Sequence, residues 1–369
     1  METILKQIAA CAGCEACLKS CPTYSITGER LFTPKQRLQT VEQILEGQSV
    51  SDPMIESLYN CTKCMACESV CPAEIKVSSV VNMGRQKLVE RGLAPLPRGK
   101  QIIEGLLKTG NAVGGRPEKR LSWLPEPFAP STSETLLFLG CLPSYLVKDA
   151  ASASYLLLKR MGIDFMILEE EGCCGTYIYE AGQVDLAREY FKKNVERFKS
   201  LGIQNMIVPC NGCLKCFKYF YPEVLGDFPI KVSHLLEVVY TALKENPSLL
   251  NQEDRPLVYQ DACRLARVEG LTEEPRELLS WCATEVKDMQ QNREQTPCCG
   301  AGGGVRSLYG DLSGEMSARL LDAAPGQTLV SPCPFCTFQL RRTAIDKKID
   351  KEIKYISSIV LDALNGNRK

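Results

Sequence analysis

The sequence predicts an α+β multidomain chain: a helical domain over residues 1–94, a linker over 95–133, and two duplicated α/β units with parallel sheets over 134–250 and 251–369. Three observations carry that reading. The twenty cysteines sort into groups, the chain beyond residue 134 repeats itself at an offset of about 120 residues, and short apolar runs alternate with longer amphipathic ones in both copies. At 369 residues the chain is also longer than one hydrophobic core usually serves.

The helical domain comes first. Its cysteines fall at 11, 14, 17 and 21 and again at 61, 64, 67 and 71, and both groups read C-x2-C-x2-C-x3-C-P, ending in Cys21-Pro22 and Cys71-Pro72. In this pattern three thiolates wrap a loop around one face of a cubane 4Fe-4S cluster, and the remote fourth cysteine ligates the other cluster. Cys11, Cys14, Cys17 and Cys71 are therefore expected to hold cubane 1, and Cys61, Cys64, Cys67 and Cys21 cubane 2. Structural zinc takes separated C-x2-C pairs instead, and disulfides belong to oxidising compartments. Between the groups Leu38, Val41, Ile44 and Leu45 recur at helical spacing, so this two-cluster ferredoxin domain is expected to be α-helical.

Residues 95–133 hold PLPRG, GNAVGGRP and WLPEPFAPSTS around one helical pattern at Gln101–Lys108, the composition of a linker. Beyond it TLLFLGC, ending at Cys141, matches PLVYQDAC, ending at Cys263. EEEGCCG at 169–175 matches EQTPCCG at 294–300, and NMIVPCNGC at 205–213 matches QTLVSPCPFC at 327–336. In the first copy TLLFLG, DFMIL and NMIVP read as strands, separated by helical patterns over SYLVKDAASASYLLLKRMG and Val184–Leu201. The cysteines thus follow strands, where an open parallel sheet gathers its site-forming loops. Gly175, Gly300 and Gly302 are expected to let backbone approach a bound cluster. The run Gly300-Ala301-Gly302-Gly303-Gly304 follows two cysteines rather than a strand, which argues against a dinucleotide loop.

The set Cys141, Cys173, Cys174, Cys210 and Cys213, repeated as Cys263, Cys298, Cys299, Cys333 and Cys336, resembles the CCG domain of heterodisulfide reductases. A two-cluster ferredoxin domain followed by two CCG domains resembles the family of the heterodisulfide reductase D-type subunits over nearly the whole chain. That family is related to the iron-sulfur subunits of glycolate and lactate oxidases. The stretches KRLSWLP at 119–125 and NREQTPCCGAGGGV at 292–305 add to the likeness, and the first CCG unit has all five cysteines, unlike the glycolate oxidase subunit. The resemblance implies a noncubane 4Fe-4S cluster in each unit, held by its five cysteines. It further implies that the two clusters face one another and jointly reduce a small-molecule disulfide, each giving one electron and binding one thiolate at iron. Electrons would come from a redox partner subunit: a membrane cytochrome b, an electron-transferring flavoprotein or an FAD-linked dehydrogenase. The alternative is a non-catalytic relay subunit of an FAD-dependent glycolate- or lactate-type 2-hydroxyacid dehydrogenase.

Outside the cysteines, Arg264 beside Cys263 is the expected contact for an anionic group of the substrate, with Arg267, Arg276, Arg293 and Arg306 as further basic residues of the second unit. His234, the only histidine, lies at a strand-to-helix junction in IKVSHLLEVV and reads as structural. Cys216 and Cys282 read as buried structural thiols, although Cys216 extends Cys210-x2-Cys213 by one more step. Lys plus Arg and Asp plus Glu both number 44, so no net field recruits nucleic acid. No apolar stretch approaches the roughly 18 residues of a membrane span, and METILKQIAACAGC lacks the apolar core of a secretory signal. The expected location is cytoplasmic, with attachment to the inner face of the membrane only through a partner subunit.

Overall fold

A computed structural model of the protein describes residues 2–365. Helices α1 (Glu2–Ala9), α2 (Pro22–Thr27), α3 (Pro34–Leu45), α4 (Asp52–Tyr59) and α5 (Val77–Glu90) build the N-terminal domain. Helix α3 starts where it does because the Thr33 hydroxyl accepts from the Gln36 N–H and Pro34 occupies the first turn, where its missing donor costs nothing. Its buried face, Leu38, Val41 and Ile44, packs on α5. The two helices close tightly because α5 offers Gly84 at the crossing; a Cβ there would lie 2.5 Å from Val41. These side chains, with Leu58, Val80, Val81 and Leu88, form a core of their own.

The segment 95–133 carries helix α6 (Pro97–Thr109), longer than the Gln101–Lys108 pattern. It buries Ile103 and Leu106, together with Trp123, against the units that follow. The first unit runs β1 (Thr135–Leu137), α7 (Cys141–Tyr145), α8 (Lys148–Arg160), α9 (Thr176–Glu180), α10 (Val184–Ser200), β2 (Asn205–Val208), α11 (Asn211–Lys215), α12 (Tyr221–Leu225), β3 (Lys231–His234) and α13 (Leu235–Leu243). Its sheet has the order β1-β2-β3, all parallel. DFMIL shrinks to an isolated bridge between Leu136 and Met166. Its strand stops there because the Arg120 guanidinium takes the next carbonyls, those of Leu168 and Glu169, out of any ladder.

The second unit runs β4 (Glu253–Tyr259), α14 (Glu273–Ser280), β5 (Ala283–Asp288), α15 (Val305–Leu308), α16 (Gly310–Ala323), β6 (Thr328–Ser331), α17 (Pro334–Asp346), β7 (Glu352–Tyr355) and α18 (Ile356–Asn365). Its parallel sheet has the order β5-β4-β6-β7. The chain leaves β4 to one side for β5 and then to the other for β6, and such a switch opens a crevice at the carboxyl ends of the two inner strands. Cys263 follows β4 and Cys333 follows β6, so both stand on that crevice. The units are interlocked: α13 of the first packs on α14 of the second, and α18 of the second packs on α8 of the first. One continuous hydrophobic core spans both. No helix among the described residues is long and apolar enough to cross a membrane.

Candidate metal centres

In the N-terminal domain the cysteines gather around two neighbouring cavities. The first, about 50 Å³, is lined by Cys11, Cys14, Cys17 and Cys71, with Leu38, Ile75, Val77 and Cys67. The second, about 20 Å³, is lined by Cys61, Cys64, Cys67 and Cys21, with Arg37, Lys63, Glu68 and Val77. The remote cysteine of each motif thus lines the cavity of the other, and Val77 and Cys67 wall both.

The two loops share a backbone signature. Gly13 and Glu15 flank Cys14 with φ of 70° and 61°, and Lys63 and Met65 flank Cys64 with φ of 51° and 65°. Three of these four are not glycine, so the left-handed conformation is held against its intrinsic cost, and such turns point successive N–H groups into one concavity. A concave nest of donors ringed by four thiols fits an anionic sulfur-bridged cluster. Among the described residues, no three His, Cys, Asp or Glu side chains converge closely enough for a single metal ion.

The two CCG units build their sites alike. In the first, Cys141 Sγ lies 4.0 Å from Cys173 Sγ, and the Gly175 N–H donates to Cys173 Sγ at 3.4 Å. In the second, Cys299 Sγ lies 3.1 Å from Cys336 Sγ, and the Gly300 N–H donates to Cys298 Sγ, again at 3.4 Å. The Cys263 thiol faces Cys298, and Cys174 faces Cys213. Eight of these ten cysteines are buried, and Cys141 and Cys263 are half-buried, whereas Cys14 of the first cavity is exposed. Glu171 fixes the Cys141 loop, accepting from the Leu139 and Gly140 N–H groups, and Arg120 pairs with it at 3.0 Å.

Two further contacts join the sites. The Cys210 thiol meets that of Cys333, bridging the two CCG sets, and the Cys64 thiol meets that of Cys298, bridging the second cavity to the second CCG set. Neighbouring thiols thus lead from Cys64 through Cys298, Cys299, Cys336 and Cys333 to Cys210, Cys213, Cys174, Cys173 and Cys141, with the closest approach between Cys299 and Cys336.

Three buried charges lie beside that run, none of them legible in the motifs. Glu180 on α9 pairs with Lys63 at 3.0 Å and with Lys215. Burial would raise its carboxyl, but Lys215 and Lys63 outweigh burial and hold it low; burial in turn pulls both lysines down, Lys63 well below its ordinary range. The arginines of the second unit are mostly committed elsewhere. Arg267 donates to the carbonyls of Cys64, Glu294 and Thr296, Arg276 grips Asp261 in bidentate fashion, Arg293 pairs with Glu273, and Arg306 stacks on Phe338. Arg264 is half-buried beside Cys263, with Glu180 and Glu269 answering its charge.

His234 caps α13: its Nδ1 accepts from the Leu236 N–H while Glu237 accepts from the His234 N–H. Burial depresses its imidazole to about 4, leaving it neutral. Cys216 is fully buried and donates to the Cys174 carbonyl at 3.2 Å. Cys282 lies apart, donating to the Leu278 carbonyl, its thiol pushed up to about 12 by burial. Gly302 and Gly303 meet the second cavity's loop rather than a CCG site: a Cβ on either would lie 2.6 Å from the Thr62 carbonyl oxygen or 2.3 Å from that of Cys61.

Comparison with known proteins fits this geometry. Residues 7–75 match the family described as a 4Fe-4S dicluster domain, and residues 135–218 and 257–341 each match the cysteine-rich CCG domain. The chain thus carries a 4Fe-4S dicluster domain and two CCG domains, and over nearly its full length it is similar to heterodisulfide reductase D-type subunits. It is 28% identical to the D-type subunit of the dihydromethanophenazine:CoB–CoM heterodisulfide reductase of Methanosarcina mazei, covering 99% of this chain and 96% of that one. It is also 25% identical to the "Probable glycolate oxidase iron-sulfur subunit" of Bacillus subtilis, over 91% and 88% of the two chains. To an EtfAB:quinone oxidoreductase of Syntrophomonas wolfei it is 26% identical, over 90% of this chain and 54% of the other. It is thus an iron-sulfur subunit of the oxidoreductase type.

Proposed function

We propose that this subunit takes electrons at the N-terminal domain and delivers them in pairs to a small-molecule disulfide held between the two CCG sites. Cys11, Cys14, Cys17 and Cys71 would hold one cubane, Cys61, Cys64, Cys67 and Cys21 the other, and the two five-cysteine sets one noncubane cluster each. When bound, these groups supply one-electron chemistry at four stations and, in the noncubane pair, iron open to a thiolate. The observation that carries the reading is the Tyr355 hydroxyl of the second unit on the Pro209 carbonyl of the first at 3.3 Å, which, with Cys210 turned toward Cys333, brings the two five-thiol sites side by side. Cleaving a disulfide takes two electrons and two protons and yields two thiols, so paired one-electron sites suit it where a single site does not.

The chain's own residues divide the work. Contact of Cys64 with Cys298 makes the second N-terminal site the feeder. The Gly175 and Gly300 N–H groups steady Cys173 and Cys298. Arg264, half-buried beside Cys263, is the group proposed to meet an anionic substituent of the substrate. The exposed Cys14 marks the face that a partner subunit, a membrane cytochrome b or a flavoprotein, would use. The membrane would be reached only through such a partner.

A second reading rests on the likeness to the glycolate oxidase and EtfAB:quinone oxidoreductase chains: the CCG sites pass electrons onward to or from a flavoprotein, with no substrate of their own. Anaerobic oxidation of a reduced viologen dye separates the two. Dye oxidation that depends on an added small-molecule disulfide supports the reductase. Intact protein with about sixteen iron atoms per chain that ignores every disulfide, yet accepts electrons from a flavoprotein, would leave the relay.

A further inference from the structure

We infer that three arginines, two of them buried and one half-buried, give the second N-terminal site a higher reduction potential than the first, so that electrons entering at the exposed face settle inward. The inference rests on the proposal that both cavities hold cubanes. Arg37, only 2% exposed, is locked by Nε to the Ser57 carbonyl at 2.7 Å and by Nη2 to Asn60 Oδ1 at 2.8 Å. That leaves Nη1 donating to Cys21 Sγ at 3.5 Å. Arg85, 1% exposed, donates to the Cys61 carbonyl at 3.1 Å, and Arg267 to the Cys64 carbonyl at 2.8 Å. Three of the four cysteine residues of that site therefore carry a guanidinium on their own sulfur or carbonyl.

Guanidinium keeps its charge in any protein environment. Lys63 adds no net charge there, because Glu180 answers it at 3.0 Å. Glu68 opposes the arginines, since it lines the same cavity near Cys67. Its carboxylate accepts from the Ser78 N–H, which answers part of that charge. The first site is built differently. Among the described residues no side-chain N–H donates to Cys11, Cys14, Cys17 or Cys71, and Cys14 is open to water. Reduction adds one electron, breaks no bond, and leaves one more negative charge on the cluster and its thiolates. Burial alone would oppose that charge at the second site, but donors to ligand sulfur and fixed positive charge at contact distance favour it and reverse the order.

Redox titration of the full-length protein, followed by EPR, tests this, with Cys14→Ser assigning the signal of the first site. In the unaltered protein the second site is expected to be reduced first. Arg37→Gln should cut its reduced-to-oxidised ratio at a given potential about tenfold, a shift of about 59 mV for a one-electron couple, and leave the first site where it was. Arg267→Gln should move it in the same direction and serves if the Arg37 variant fails to assemble. Equal potentials, the reverse order, or an equal shift of both sites overturns the inference while the clusters stand. Absence of two cubane signals overturns the functional proposal along with it.

Discussion

The two CCG units descend from one pattern, and their differences show which parts the site demands. Gly175 and Gly300 have φ of 83° and 82°, and each donates its N–H to the first cysteine of its pair at 3.4 Å. Around that cradle the copies diverge. Asn211 follows Cys210 where Pro334 follows Cys333, Cys216 stands where the other copy has Gln339, and His234 ends β3 where Tyr355 ends β7. Asn211 is buried with neither polar side-chain atom bonded. Tyr355 reaches across to the Pro209 carbonyl of the first unit at 3.3 Å, whereas His234 turns its Nδ1 to its own helix. The backbone turn that presents the paired cysteines is held constant; the walls are free to differ, so the paired sites are not equivalent.

The largest test of that comparison is Gly300→Ala against Gly175→Ala. Both force alanine into the left-handed region, but the new Cβ at 300 would meet the Ser313 backbone carbonyl at 2.7 Å, while that at 175 would meet the Phe191 ring at 2.8 Å. Backbone yields less than a ring, so Gly300→Ala should cost about 3 kcal/mol or more and Gly175→Ala less. Chemical denaturation and iron content read the difference, and equal losses would mean that the φ alone matters. Next comes pH. His234 titrates near 4 when folded, below its ordinary 6.5, so its neutral form is the stable one. Its contribution is whole above about pH 6.5 and is lost as pH falls toward 4, by up to about 3 kcal/mol. His234→Asn should flatten that part of the stability curve, and an unchanged slope would assign the pH dependence to other groups.

Cys216→Ser is smaller and bears on the asymmetry directly. Its thiol donates to a carbonyl, a bond that serine keeps, so a loss of about 1 kcal/mol with full iron content is expected. Falling iron content would make Cys216 a ligand, and the first unit a six-cysteine site. The smallest effect belongs to the bidentate pair of Arg341 with Asp149, at 2.9 and 2.7 Å, which ties α17 to α8 across the units. It is partly exposed, so Arg341→Ala should cost no more than about 1 kcal/mol, read from the thermal midpoint.

Much of this was legible in the sequence because cysteine spacing is a local pattern that survives without knowledge of the fold. The crossing of Cys21 and Cys71 between cavities, the duplication and the parallel sheets follow from local patterns. What joins the parts does not. Cys64 and Cys298 meet across more than two hundred residues, and nothing in their spacing brings them together. Gly302 and Gly303 look like cluster-hugging glycines, yet the surface they fit is the Cys61–Thr62 backbone. Arg37 had a faint signal, since it shares a helix face with Leu38, Val41 and Ile44, where a charge is out of place unless something buried needs it. Segment 95–133 has a linker's composition but puts Leu106 and Trp123 into the large core, because α6 supplies an apolar stripe among its prolines and glycines.

The interlocking of α13 with α14 and of α18 with α8 gives the duplication a history. A solitary ancestor of this unit would have exposed the apolar faces that its twin now covers, and the simplest remedy is a twofold homodimer whose two sites, by symmetry, are identical. Joining both copies in one gene keeps that geometry and abolishes the symmetry constraint. Each half is then at liberty to acquire its own Asn211 or Pro334 without imposing it on the other.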